Sequence, residues 1–156
     1  MPNPIDYALF AANAYSASQA VVHLNNEIPL PTGWTVMAVP ANSGVNNATG
    51  FLARAYKSTS GEIVIAYGGT TSEDGMAPLD WTKGNLPGAT GLSLGEQVVD
   101  AARFYLDVLQ TNSQANISFT GHSLGGGLAA LMAVYFGREA HTFDQAPFAQ
   151  SASTSG

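Results

Sequence analysis

The order of apolar segments predicts an α/β fold, built on a mostly parallel sheet with crossover helices. Three observations carry this expectation. Ile63-Val64-Ile65-Ala66 is an unbroken apolar run, as expected of a strand covered on both faces. Val98, Val99, Ala102, Tyr105, Leu106 and Leu109 recur at helical spacing. A further strand, helix and strand then follow through Ile117–Thr120, Leu124–Phe136 and His141-Thr142-Phe143.

The elements can be read in chain order. Pro4 opens a first helix expected over about Ile5 to Ser18, with Ile5, Leu9, Ala12 and Tyr15 on one face. A loop rich in Asn and Pro follows, and Trp34 to Val39 reads as a short strand. Ala41 to Gly50 is a turn region of Asn, Ser and Gly. Phe51 to Ser58 and Glu62 to Tyr67 read as strands joined by the tight Ser58-Thr59-Ser60-Gly61 connection. Gly68 to Gly91 has no periodicity, and connections of that length are usually functional or disordered. Ser93 and Glu96 form a capping box that announces the next helix, which ends within Thr111 to Asn116. The helix Leu124–Phe136 is almost wholly apolar and must be covered on most sides. Asp144 to Pro147 turn out of the last strand. One domain over residues 1–150 is expected, with 151–156 as a small polar tail that need not fold.

Composition narrows the function classes. The chain has 156 residues, enough for one real hydrophobic core. Its formal charge is −6, and the five basic residues, Arg54, Lys57, Lys83, Arg103 and Arg138, are scattered. No cationic stripe is available for phosphate backbones, which points away from nucleic acid as a partner. The absence of cysteine removes disulfides, thiolate nucleophiles and cysteine metal sites. The N-terminus has neither a basic n-region nor an apolar h-region, and the longest apolar stretch, Leu128 to Phe136, is too short to span a bilayer. A soluble chain is expected, with export by another route left open.

The sharpest feature is Gly121-His122-Ser123-Leu124-Gly125, placed between the strand Ile117–Thr120 and the following helix. This is G-x-S-x-G in the strand-turn-helix context that gives the pattern meaning. The chemistry needs the serine at the apex of a strained turn, so that its hydroxyl projects above the sheet edge. Gly121 and Gly125 lack β-carbons and let the strand and helix backbones approach. The Leu124 N–H, at the helix start, can then face a developing oxyanion. Ser123 is therefore the candidate nucleophile. A dinucleotide fingerprint from Gly125 and Gly127 fits poorly, because the serine occupies the turn and the acid Glu139 lies before a strand. No G-x4-G-K-[ST] pattern is present. His122 is read as structural, since the side chain beside such a serine points elsewhere.

The strand ending Ala66-Tyr67 runs into Gly68-Gly69-Thr70-Thr71-Ser72. An oxyanion hole needs a second donor from a loop after a neighbouring strand, and Thr70 offers a backbone N–H and a hydroxyl. One such donor supplies roughly 3 kcal/mol of transition-state stabilisation in hydrolases. Met76, Leu79, Trp81 and Leu86 lie in the polar segment beyond. They form a candidate lid over an apolar slot, or anchors for a long surface loop.

Taken together these segments resemble the class 3 (fungal-type) lipases of the α/β-hydrolase superfamily. The matching pieces are Ile63 to Thr70, Asp80-Trp81, Asn85-Leu86, Phe119 to Gly126, and Thr142-Phe143 followed by Ala146-Pro147. The resemblance implies an α/β-hydrolase-type sheet and hydrolysis of carboxylic esters, often acylglycerols, with no metal or organic cofactor. Ser123 resembles the nucleophile and Thr70 the oxyanion residue, and Ser72 to Trp81 falls where such lipases keep a lid or its hinge. Gly68 is a departure, since the family commonly carries arginine there. The larger departure is that the family's catalytic Asp and His lie beyond the strand resembling Thr142-Phe143, past the last residue here.

The chain is accordingly expected to be the N-terminal portion of a hydrolase domain with its C-terminal part missing. Its partners would be an ester or lipid substrate and a segment or second polypeptide carrying the Asp and His. His141 begins its strand, away from Ser123, and nothing positions His23. Asp144 is expected at the same sheet edge as Ser123, where it would shape the site. Exposed sheet edge and core surface would favour self-association. Amide or polyester hydrolysis and a non-catalytic binding or assembly module are the alternatives.

Overall fold

The computed structural model describes residues 1–17, 28–39, 44–46, 48–69 and 90–145. Helix α1 spans Pro4–Asn13, and a 3-10 segment, Ala14–Ala17, continues it. Strands β1 (Trp34–Val36), β2 (Val45–Asn46), β3 (Phe51–Ser58) and β4 (Ile63–Tyr67) follow. Then come α2 (Thr90–Thr111), β5 (Ile117–His122), α3 (Leu124–Phe136) and β6 (Ala140–Phe143). The sheet order is β1-β3-β4-β5-β6, with β2 paired to β3. It is an α/β fold with a mixed sheet. β1, β2 and β4 run antiparallel to β3, while β4, β5 and β6 are parallel and are linked through α2 and α3.

The apolar run in β4 serves both faces of the sheet. Ile63, Ile65 and Tyr67 point into one core with Phe104, Tyr105 and Val108 of α2 and Leu128, Ala129 and Met132 of α3. Val64 and Ala66 point the other way, against Tyr7, Phe10 and Ala14. Period-two alternation therefore divides one strand between two apolar layers. All five β4 residues are buried, as a strand covered on both sides requires.

Several boundaries differ from the sequence expectation. Asn3 caps α1, accepting from the amides of Ile5 at 2.8 Å and Asp6 at 3.1 Å, while Asp6 accepts from the Asn3 amide at 2.9 Å. The buried apolar residues of α1 are Tyr7, Phe10 and Ala11, continued by Ala14 of the 3-10 segment, and not the expected Ile5-Leu9-Ala12-Tyr15 face. Both sets have helical spacing, but the first buries two large aromatic rings, and Ile5 is left 70% exposed. α2 begins at Thr90, so Ser93 lies inside it and is not its cap. β1 stops at Val36, three residues short of the expected strand, and β5 runs two residues further, to His122. The Ala41–Gly50 turn region contains the short strand β2. The expected tail, 151–156, lies outside the described residues.

Phe119 sits at the centre of the larger core, fully buried between Tyr67 and Tyr105 at ring-centroid distances of 5.9 and 5.4 Å. Phe119→Ala is expected to lower unfolding stability by about 3–5 kcal/mol, through lost transfer energy and a residual cavity. Urea unfolding checks this: the midpoint falls while the denaturant slope stays constant.

Candidate active site

β5 carries the chain to its exposed end at His122, and Ser123 makes the turn into α3. Ser123 has φ 54° and ψ −123°, a combination that costs a side chain steric strain. Its amide donates to the Phe143 carbonyl at 3.1 Å, and its carbonyl accepts from the Gly127 amide at 3.1 Å. The residue is half-buried, and its hydroxyl makes no capping bond to the helix. The turn thus fixes Ser123 at the C-terminal edge of the parallel strands. Leu124 is the first residue of α3, where helical amides lack intrahelical acceptors.

The glycines around this turn are required by contact. A β-carbon on Gly121 would overlap the Gly125 carbonyl, and one on Gly125 would overlap the Tyr67 carbonyl. The backbones of β5, α3 and the end of β4 therefore meet without side chains between them. At Gly68, a β-carbon would lie 2.9 Å from the Leu52 β-carbon, so an arginine there would need Leu52 to move.

Asp144 follows β6 and is exposed with φ 45°. Among the described residues, Ser123 and Asp144 are the two non-glycine positions with positive φ, and they stand at the ends of adjacent strands. His141 stacks on Tyr7, with centroids 4.0 Å apart and planes inclined by 18°. The Nδ1 of His122 lies 3.2 Å from the Tyr15 hydroxyl. Burial raises the pKa of that hydroxyl, and the nearby Gly69 backbone opposes the rise. An apolar hollow of about 470 Å³ opens beside this group, lined in part by Ala8, Ala11, Ala12, Ile28, His122 and Phe143. Thr70, the candidate lid residues Met76, Leu79 and Trp81, and His23 lie outside the described residues. Among the described residues no cluster of His, Cys, Asp or Glu could hold a metal ion, and no helix is long and apolar enough to cross a membrane.

Tyr15 is the residue at this site that sequence reasoning did not single out. It was visible only as an apolar position near a helix end, since a link to residues 69 and 122 needs the fold.

The family model for the Tle-like phospholipase domain matches residues 6–153. The chain belongs to that family. The described part of this Tle-like phospholipase domain also shares its fold with fungal lipases. The lipase from Rhizopus microsporus var. chinensis superposes with a TM-score of 0.54 at 17% identity, covering 90% of this chain and 55% of its own. The nonglycosylated LIP2 lipase of Yarrowia lipolytica gives 0.58 at 15%, covering 89% and 56%. The Rhizomucor miehei lipase propeptide complex gives 0.54 at 21%, covering 91% and 51%. The chain thus spans about half the length of the solved structures it matches. No curated protein matches it in sequence.

The backbone at Ser123 sets two expectations for stability. Ser123→Gly should raise it by about 1 kcal/mol, because glycine takes positive φ without steric cost, whereas Ser123→Ala retains the strain. Gly125→Ala should lower it by about 3 kcal/mol or more through overpacking against backbone. Thermal melts of the three variants check both signs.

Proposed function

We propose that Ser123 is the nucleophile of a class 3 (fungal-type) lipase-like serine hydrolase acting on carboxylic esters, phospholipid esters foremost. The observation that carries this reading is the positive-φ backbone of Ser123 at a glycine-flanked strand-to-helix turn. Such strain persists where surrounding structure over-determines it, and it clusters at reaction centres. The family's description as a phospholipase domain directs the substrate class. The apolar hollow beside His122 and Phe143 suits an alkyl chain.

The reaction proceeds through an acyl-enzyme. A histidine takes the hydroxyl proton as Ser123 Oγ attacks the ester carbonyl. The Leu124 and Thr70 amides stabilise the tetrahedral oxyanion, and the alcohol leaves with the transferred proton. Water then cleaves the acyl-enzyme and regenerates the serine. Gly121 and Gly125 hold the turn, and Asp144 shapes its rim. Met76, Leu79 and Trp81 act as a lid. The catalytic histidine and its orienting Asp come from a further segment or a second polypeptide.

A second reading, a hydrolase-like binding or assembly module, draws on the described histidines. His141 is stacked on Tyr7 and His122 is bonded to Tyr15, which leaves neither paired with Ser123. Two measurements separate the readings. A fluorophosphonate should label Ser123 in the complete assembly, and labelling unchanged in Ser123→Ala would refute the nucleophile. Turnover of a short-chain nitrophenyl ester should appear only when the polypeptide supplying the Asp and His is present. Inactivity in both forms favours the binding module.

A further inference from the structure

We propose that Tyr15 is a positioning residue whose hydroxyl ties the backbone after β4 to the turn carrying Ser123, accepting from the Gly69 amide and donating to Nδ1 of His122. The positioning role rests on the reading of Ser123 as nucleophile; the link itself does not.

The geometry is specific at both ends. A β-carbon on Gly69 would lie 2.7 Å from the Tyr15 hydroxyl oxygen, so the bare backbone of Gly69 is what lets the phenol seat there. On the other side the oxygen lies 3.2 Å from Nδ1 of His122, the residue immediately before Ser123. Tyr15 is itself held in place. Asn13, just ahead, donates to the Ile28 carbonyl at 2.7 Å and accepts from the Ile28 amide at 2.9 Å. Ser16, just after, accepts from the Arg54 guanidinium at 2.7 Å. The 3-10 segment that presents the phenol is therefore clamped before and after it.

The proposed link assigns a direction to each bond. A phenol has one proton. The Gly69 N–H can only donate, and in the proposed link the phenolic proton goes to Nδ1, 3.2 Å away. Nδ1 is then the acceptor, and the neutral His122 ring carries its proton on Nε2. One hydroxyl thereby holds two strand ends whose separation matters to the proposed reaction. The residue after Gly69 supplies one proposed oxyanion amide, and the residue after His122 supplies the nucleophile. A small error in such spacing is costly for catalysis, because the oxyanion must meet both amides at once.

The test combines a spectrum with a rate. Long-range proton–nitrogen NMR of the chain should show His122 as the single Nε2–H tautomer. Tyr15→Phe should turn it into a tautomer mixture and move the Gly69 amide resonance. In the assembly that hydrolyses ester, Tyr15→Phe should lower kcat by roughly fivefold to tenfold, the effect of one neutral hydrogen bond, with KM little changed. His122→Leu should match that loss, and the double variant should be no worse than either single one. His122→Gln, which keeps an acceptor, should restore most of the rate. A mixed tautomer in the unsubstituted chain, or a spectrum indifferent to Tyr15→Phe, overturns the link. A tautomer change with kcat unaltered overturns the positioning role. If Ser123 of the unsubstituted assembly resists fluorophosphonate, the nucleophile reading fails and the positioning role with it, while the NMR result still decides the link.

Discussion

Backbone-to-backbone packing at Gly121 and Gly125 sets the geometry on which the surroundings of Ser123 depend. With no β-carbon at either position, α3 starts directly against β5 and against the carbonyl of Tyr67 at the end of β4. The same contact brings Gly68 alongside the first turn of α3. A side chain at either glycine would push the helix away by more than the length of a hydrogen-bond tolerance. The parallel pairing of β4, β5 and β6 then places three strand ends at one edge, where α/β sheets commonly bind their ligands.

That local arrangement is costly, and the two cores are what offset it. Gly125, Gly126 and Gly127 open α3 with the poorest helix-forming residue short of proline, at about 1 kcal/mol each relative to alanine. One turn further on, Leu128, Ala129 and Met132 are fully buried against the sheet. Helical stability in proteins comes mainly from such packing rather than from propensity. On the opposite face, Phe10 stacks on Tyr56 with centroids 4.6 Å apart, and Tyr7 bonds Ser118 of β5 at 2.9 Å. β5 is thus gripped from both sides before it reaches the turn.

The α/β class, the strand Phe51–Ser58 and the helix Leu124–Phe136 were legible in sequence, because each rests on a local periodicity bounded by turn formers. The turn at Ser123 was legible for a related reason, since two glycines at fixed spacing encode a steric demand that is entirely local. What sequence did not reveal depends on competition between alternatives. Two stripes of α1 have the same spacing, and only the aromatic content of Tyr7 and Phe10 decides which one turns inward. The β1 limit depends on its pairing with β3, which period counting does not contain. The Tyr15 link joins residues far apart in sequence, and no pattern within one element signals it.

Strain at the two strand ends differs in kind, and the difference bears on what each residue does. Asp144 has φ 45°, and Asp tolerates positive φ better than most side chains, so that angle alone implies little. Ser123 combines φ 54° with ψ −123°, where a β-carbon is disfavoured and glycine would be the natural choice. Glycines stand on either side of it at Gly121 and Gly125, so the turn could have been relieved by a third. A serine there gives up stability for a hydroxyl at the bend. Packing does not require that hydroxyl, since it forms no cap to α3. The strain at Ser123 is therefore not offset by capping of α3.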